Sequence, residues 1–332
     1  MLENSGLFRS LLLALPLAGA LGASAMAQDA ASYPNRTIRL VIPFAAGGAT
    51  DAVARPWAER FREKLKASLI VENLGGAGGA IGAANIAKAP NDGYHLLIGS
   101  ISTQILTPSI ANPSPYDSLK DFEPIAMLVS STLAIAVHPA IPARTLGELT
   151  AFAKANPGRI SYGTPGAGSL NHLVGELYKT ISGAEGVAHV PYRGGGPALS
   201  DLLGGQLPMI VPVMTGQIIA LHQSGKLRLL VVTSQKRLAN LPDVPTGAEA
   251  GAQGLLADGF YGFFAPAGTS RAIVERLAAA SNEAMKDQEL QKILRGAGFE
   301  PVLDSTPARA RQIVEENLKI WPPVIARTGL KR

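Results

Sequence analysis

Four times along this chain an apolar, strand-like run ends in a short loop of glycine, small and hydroxyl residues. The loops are 44–51, 100–103, 164–169 and 192–196, and three of them run directly into a helix start. Strands that alternate with helices and carry nearly continuous apolar cores belong to α/β folds, so mostly parallel sheets are expected. In open sheets of that kind, ligands bind beyond the carboxyl ends of the strands. A helix start there presents unpaired N–H groups and the positive end of the helix dipole, which suits an anion. Short βα loops favour glycine in any case, so a single loop says little; recurrence in both halves of the chain favours one shared site.

The first unit reads as a strand over 38–44, then a helix capped by Thr50 or Asp51 with Val53, Trp57, Phe61 and Leu65 on its apolar face. Pro56 is expected to bend the first turns of that helix. A second strand over 69–73 leads through a glycine-rich loop to a small-residue helix ending near Ala87, and a third strand covers 94–99. A new set begins at 133–137. It continues with a helix from Thr145, a strand over 160–164 and a helix after Ser169. A strand over 187–192, a helix from Pro197 and strands over 209–213 and 227–233 complete it. A strand over 260–265 and helical stretches over 270–295 and 306–327 close the chain. The expected division is 28–130 with 234–332 as one domain and 131–233 as the other, joined by two crossovers.

Residues 1–27 are read apart from the fold. Arg9 precedes the apolar run 11–21, and Ala25-Met26-Ala27 has the small-x-small pattern of a signal-peptidase site. The run is too short to span a bilayer, which takes about 20 apolar residues. Export with cleavage after Ala27 is therefore expected.

Composition removes several classes of function. Hydrophobic residues make up 47% of the 332, which is core material for a globular protein rather than a disordered one. There is no cysteine, so disulfides, thiolate metal sites and a thiol nucleophile are excluded. Five histidines, none at metal-ligand spacing, make a transition-metal site improbable. The formal charge of +5 is dispersed, and aromatics are only 5%, so neither a phosphate-tracking stripe nor a base-stacking platform is expected, and no nucleic-acid partner.

Two enzyme readings are weighed against the residues. The loop over 75–82 contains G-x-G-x-x-x-G, an altered dinucleotide fingerprint. It follows the second strand and has no clear acidic ribose partner about 20 residues on, so tight helix packing is the preferred reading over an NADP-linked oxidoreductase. Ser169 and His172 share a helix face, as a hydrolytic pair would, but no nucleophile elbow and no third group to orient the imidazole are present. His172 is better read as a packing histidine. Asp201 is either solvated or aimed at the cleft, and Arg193 is either a carboxylate partner or a rim charge.

The motifs taken in order resemble a known family. The opening Tyr33-Pro34-Asn35-Arg36-Thr37-Ile38-Arg39-Leu40-Val41-Ile42-Pro43-Phe44-Ala45-Ala46-Gly47-Gly48-Ala49-Thr50-Asp51 is similar to that of the Bug family, the periplasmic solute receptors of tripartite tricarboxylate transporters. The similarity continues through Val71-Glu72-Asn73, Gly76-Ala77-Gly78-Gly79, Pro90-Asn91-Asp92-Gly93-Tyr94, Tyr162-Gly163-Thr164-Pro165-Gly166-Ala167-Gly168-Ser169 with His172, and Pro191-Tyr192-Arg193-Gly194-Gly195-Gly196-Pro197. It ends with Asp201-Leu202-Leu203-Gly204-Gly205-Gln206 and Leu241-Pro242-Asp243-Val244-Pro245-Thr246. The resemblance implies a type II periplasmic binding fold, two α/β domains hinged about a cleft, with loops starting at Phe44 and Thr164 that pinch a carboxylate. It implies a periplasmic mature protein, no enzymatic activity, no cofactor or metal, a monomer, and delivery of a small carboxylate to the membrane subunits of a tripartite transporter. A ligand sensor for a signalling partner is the alternative. The stretch Ser100-Ile101-Ser102-Thr103-Gln104 departs from the family's usual Gly/Thr-rich pattern.

The expected ligand shell takes Phe44, Ala46, Gly47, Gly48, Thr50 and Asp51 from the first loop and Ser100, Ser102 and Thr103 after the third strand. The second half adds Thr164, Gly166, Gly168, Ser169 and His172, then Tyr192, Arg193, Gly194 and Asp201. These loops contain no lysine, so binding is expected to rest on helix N-termini and hydroxyls, chiefly over 46–50 and 164–169. Three or four charge-assisted hydrogen bonds supply roughly 5–12 kcal/mol before costs, and micromolar affinity needs about 8 kcal/mol.

Overall fold

The computed structural model describes residues 32–330, so the export signal expected over 1–27 lies outside the described residues. Two mixed sheets form. The strands are β1 (Ile38–Ile42), β2 (Leu69–Asn73), β3 (His95–Ser100), β4 (Phe122–Thr132), β5 (Ala134–Val137), β6 (Ser161–Thr164), β7 (Ala188–Pro191), β8 (Met209–Ile210), β9 (Arg228–Val232), β10 (Asp258–Pro266) and β11 (Glu300–Pro301). The larger sheet runs β11-β4-β10-β3-β1-β2 and the smaller β7-β6-β8-β5-β9. The helices are α1 (Ala49–Leu65), α2 (Ala80–Ala87), α3 (Thr107–Ile110), α4 (Leu146–Ala155), α5 (Leu170–Ser182), α6 (Gly195–Leu203), α7 (Gly216–Gln223), α8 (Arg271–Met285), α9 (Gln288–Gly296) and α10 (Pro307–Thr328).

The alternation of strand side chains sorts the core into layers. Along β1, Ile38, Leu40 and Ile42 enter one cluster and Val41 enters another. On the first face, α1 and α8 cover the larger sheet. Trp57 stacks on Phe61 with ring centroids 4.5 Å apart and meets Phe263 edge-on at 4.8 Å. The expected α1 face, Val53, Trp57, Phe61 and Leu65, is buried as a unit. The second face joins both units: Leu97 and Ile105 belong to the same apolar cluster as Leu133, Tyr162 and Leu173. Val314 and Trp321 of α10 complete that cluster, with α10 packed on both β4 and α5. A third cluster covers the other face of the smaller sheet, where Ala134, Ala136 and Ile210 meet Leu202 of α6 and Ile218 of α7.

Several expectations are corrected. The sheets are mixed rather than mostly parallel: β1 pairs parallel with β2 and β3, while β10 is antiparallel to both β3 and β4. The smaller sheet likewise has parallel β6 pairs and antiparallel β5 pairs. The long strand β4 is an addition to the expected elements, and it holds a proline, which central strands usually exclude. Pro124 is accommodated opposite Phe264, at a shift in register between Phe263 and Phe264. Neither Thr50 nor Asp51 caps α1; the N-cap is Gly48. The run 100–103 is not a loop but leads into a π-helical turn, Ser102–Leu106. The stretch 270–295 is broken between α8 and α9, where Asp287 caps the second helix. The segment after β9, expected with the first domain, lies on the smaller sheet: Val232 N donates to Pro245 O, and Leu241 and Val244 join that unit's core.

Candidate ligand-binding cleft

A cavity of about 380 Å³ lies between the two sheets, and among the described residues all that border it are uncharged. Loop and helix starts supply part of its wall: Phe44, Gly47, Gly48 and Thr50 before and in α1, Ser100 and Ser102 after β3, Thr164 after β6, and Gly195 and Gly196 in α6. The crossing strands supply Leu133, Ile210, Val211, Val213 and Phe260, and the starts of α5 and α7 with Gly296 and Ala297 complete it. Of the expected shell, Phe44, Gly47, Gly48, Thr50, Ser100, Ser102 and Thr164 border this space.

The helix starts at this wall differ in one chemical respect. An α-helix leaves its first N–H groups unpaired, and a Ser, Thr, Asp or Asn side chain at the N-cap ordinarily accepts from one of them. Thr145, Ser169, Thr215, Ser270, Asp287 and Thr306 do this for α4, α5, α7, α8, α9 and α10. The N-caps of α1 and α6 are Gly48 and Gly194, which have no side chain, and no side-chain acceptor meets either helix. The two starts lie together, since a Cβ built on Gly48 falls 3.6 Å from Gly195 N. Their first-turn donors, with two positive dipole ends, border the cavity. Beside them, the Ser100 hydroxyl oxygen is fully buried without a hydrogen-bond partner. Its cross-strand neighbour is Tyr261, whose hydroxyl is hydrogen-bonded to Thr50.

The loop 164–169 behaves differently from expectation, because its donors are satisfied within the protein. Gly166 N donates to Thr164 Oγ1 at 3.2 Å, Gly168 N to His172 Nδ1 at 3.1 Å and Ser169 N to Gly166 O at 3.2 Å. His172 N donates to Ser169 Oγ, and Leu170 N reaches across to Ser102 Oγ at 3.0 Å. Ser169 and His172 therefore form no nucleophile–base pair. The Ser169 hydroxyl donates to Gly166 O at 2.7 Å, and the His172 ring lies 3.8 Å from the ring of His189. Burial first, then the neighbouring His172, pushes the His189 pKa down to about 3, so this ring stays neutral against Thr164 Oγ1 at 2.6 Å.

Other expected residues also serve the scaffold. Thr103 Oγ1 ties the turn after β3 by accepting from Ser100 N and donating to Ser100 O. Asp51 reaches back to accept from Gly47 N, Arg55 and Asn73. Partial burial acts to raise its pKa, but those hydrogen bonds outweigh it and hold the carboxyl below its ordinary value. Tyr192 donates to Asp201 at 2.7 Å, outside the cavity. Arg193 is exposed, and its carbonyl accepts from Ala45 N at 3.2 Å across the mouth of the cleft. Ala46 belongs to that mouth as well: its carbonyl lies 3.1 Å from where a Gly196 Cβ would stand, and Gly194 meets Ala45.

The glycine-rich loop over 75–82 has two uses. Gly82 packs against Pro43 and the Leu74 carbonyl, as tight packing requires, but Gly78 faces the other unit. A Cβ on Gly78 would fall 2.4 Å from Ala167 O, and one on Gly166 would fall 2.6 Å from Gly78 N. Both glycines have positive φ, so the two loops close on each other only where neither residue has a side chain.

The lining residues outside the expected shell include Leu170 and Asn171 at the α5 start, Gly195, Gly196 and Leu199 of α6, Ser131 and Leu133, most of 210–218, Gly259–Tyr261 and Gly296–Ala297. Their sequence signal is faint, since most of them read as ordinary core. Thr215-Gly216 at the start of α7 follows a strand and was open to the same reading as the other βα junctions.

Two α/β units closed about an uncharged cleft define a type II periplasmic-binding-type fold. The family model described as tripartite tricarboxylate transporter family receptor matches residues 53–330, and the chain belongs to that family, whose members are solute receptors rather than enzymes. It is 34% identical over 304 residues to protein BugT of Bordetella pertussis, covering 91% of this chain and 92% of that one. The solved periplasmic binding protein BugD is 32% identical with a TM-score of 0.86, over 90% of this chain and 99% of that chain. An R. palustris protein solved with adipate is 31% identical with a TM-score of 0.84, again over 90% and 99%. Among the described residues no helix is long and apolar enough to cross a membrane.

Proposed function

We propose that this protein is a periplasmic receptor that closes two hinged units over a small carboxylate and delivers it to the membrane subunits of a tripartite tricarboxylate-type transporter. Residues 1–27 serve as the export signal, and the mature chain works as a monomer. One unit comprises 28–132 with 258–332 and the other 133–257, a division that the packing of Leu241 and Val244 favours over a boundary near 233. The hinges are the crossovers at Thr132–Ala134 and between β9 and β10, where Leu133 N donates to Thr233 Oγ1 and Thr233 Oγ1 donates to Ala257 O.

The observation that carries this reading is the pair of helix starts left without side-chain caps at an uncharged cavity. Gly48, Thr50, Ser100, Gly195 and Gly196 hold the carboxylate, and the crossing strands receive the body of the ligand. That the R. palustris relative was solved with adipate supports the ligand class. A thermal-shift screen over organic acids tests it. A ligand at 100 times its Kd adds about 2.7 kcal/mol of stability, so at least one acid should raise Tm clearly and also reduce the radius of gyration in solution scattering. A panel of mono-, di- and tricarboxylates with no stabilising member would refute the receptor reading.

A further inference from the structure

The cavity has one anionic pole and not two. Four helix starts border it, those of α1, α5, α6 and α7. The α5 start is answered within the protein, by Ser169 Oγ on His172 N and Ser102 Oγ on Leu170 N. The α7 start is answered twice. Thr215 Oγ1 accepts from Ile218 N, and the C-terminal end of α9 abuts it: a Cβ on Gly216 would fall 2.2 Å from Gly296 O. A helix C-terminus carries partial negative charge, so the Gly296–Ala297 end of the wall opposes the α7 dipole and disfavours an anion. Of these four starts only α1 and α6 have no side-chain acceptor, and the orphaned Ser100 hydroxyl belongs to the cross-strand neighbour of Tyr261, which is bonded to Thr50 of α1.

The remaining wall is mostly apolar: Leu133, Ile210, Val213 and Phe260 border the cavity together with the neutral polar side chains of Ser131, Asn171 and Gln217, and among the described residues no arginine, lysine or histidine does. A second carboxylate there would meet neither a cation nor an uncapped helix start, and the Asn171 amide already donates to Val211 O, so little compensates the charge for its lost hydration. The size suits more than a three-carbon acid, because about 380 Å³ falls within the range of small-molecule sites.

Resting on the receptor reading above, we infer that the preferred ligand is a monocarboxylate with an apolar body, aliphatic or aromatic, rather than a di- or tricarboxylate. The carboxylate sits between the α1 and α6 starts beside Ser100, and the body lies against Leu133, Val213 and Phe260.

Isothermal titration calorimetry on the mature protein, using acids that differ by one carboxylate, tests the inference. The pairs are hexanoate with adipate and benzoate with phthalate, and malate and citrate complete the panel. The tightest ligand should be a monocarboxylate that binds at least tenfold better than its paired diacid, with a negative heat-capacity change from buried apolar surface. If the tightest ligand is adipate, phthalate, malate or citrate, the single-pole inference is overturned while the receptor reading stands. If no acid in the panel binds, both fall.

Discussion

Two glycine-bearing junctions of this protein look alike in sequence and differ in chemistry. Thr164-Pro165-Gly166-Ala167-Gly168-Ser169 enters α5, and Tyr192-Arg193-Gly194-Gly195-Gly196-Pro197 enters α6. In the first, Ser169 caps its own helix and His172 takes a further loop N–H, so the loop is a closed hydrogen-bond system. In the second, the N-cap is glycine, and Pro197 removes one orphan donor while leaving those of Gly195 and Gly196. The α1 junction follows the second pattern, with Gly48 at its N-cap. A glycine-rich loop is thus not in itself an anion site. What decides is whether a side chain has already taken the free N–H groups. The closed loop keeps a mechanical role, since Gly166 meets Gly78 where the units touch.

The largest effect should come from removing one donor at the open junction while keeping its shape. Gly195 occupies the first helical position, where proline is well tolerated, and Gly194 before it is extended, as a residue preceding proline prefers. A Cβ at Gly195 would make only an ordinary contact, 3.9 Å from Pro165 Cγ. Gly195→Pro should therefore fold with a near-native Tm. It should lose tenfold or more in affinity for the tightest acid of the panel, since a hydrogen bond to a charged group contributes about 1.5–3 kcal/mol. Gly195→Ala keeps the N–H and should stay within about threefold. Equal affinity of both variants in calorimetry would remove the α6 start from the site and erase the contrast between the junctions.

The closed junction should respond the other way. Ser169→Ala removes a helix cap, and with it the hydroxyl that donates to Gly166 O. A loss of about 1 kcal/mol in unfolding free energy is expected from denaturant titration, with ligand affinity changed by less than about threefold. A large loss of affinity at unchanged stability would show that Ser169 meets the ligand, and the two junctions would then be partners instead of opposites.

Much of this was legible in the residues themselves. The period of Val53, Trp57, Phe61 and Leu65 located the buried face of α1, and Thr145 marked the start of α4. The expectation that helix starts and hydroxyls hold the carboxylate carries over into the proposed site, which takes its donors from α1 and α6. The assignment of donors to loops was harder, because Thr50 and Asp51 look like caps in sequence. In three dimensions Asp51 is turned back onto Gly47, Arg55 and Asn73, so it braces the loop from behind. Leu133, Val213 and Phe260 have the chemistry of any core residue, and only the crossing of strands between the two sheets brings them to a cavity. The contact of Gly78 with Gly166 joins distant segments, a proximity that no local pattern encodes. Tolerance of Pro124 within β4 depends on the register of its partner strand, which is equally non-local.

The smallest effect is expected at Arg193, the one cation in the loops, which the sequence alone assigns to neither clamp nor rim. Its side chain is exposed and does not border the cavity, and its structural contribution to the mouth is made by its carbonyl, which accepts from Ala45 N. Substitution by alanine keeps that carbonyl. An exposed cation at the rim acts through a screened field, so it influences the approach of an anion more than its residence. Arg193→Ala should accordingly change the Kd of the tightest acid by no more than about twofold at 0.15 M salt. A modest fall in association rate should appear only as the salt is lowered, read by stopped-flow fluorescence or calorimetry at two ionic strengths. A tenfold loss at 0.15 M salt, equivalent to about 1.4 kcal/mol, would mean that the guanidinium swings onto the ligand. The open helix starts would then share their anion with a cation, and the difference between the two junctions would reduce to which one lies beside an arginine.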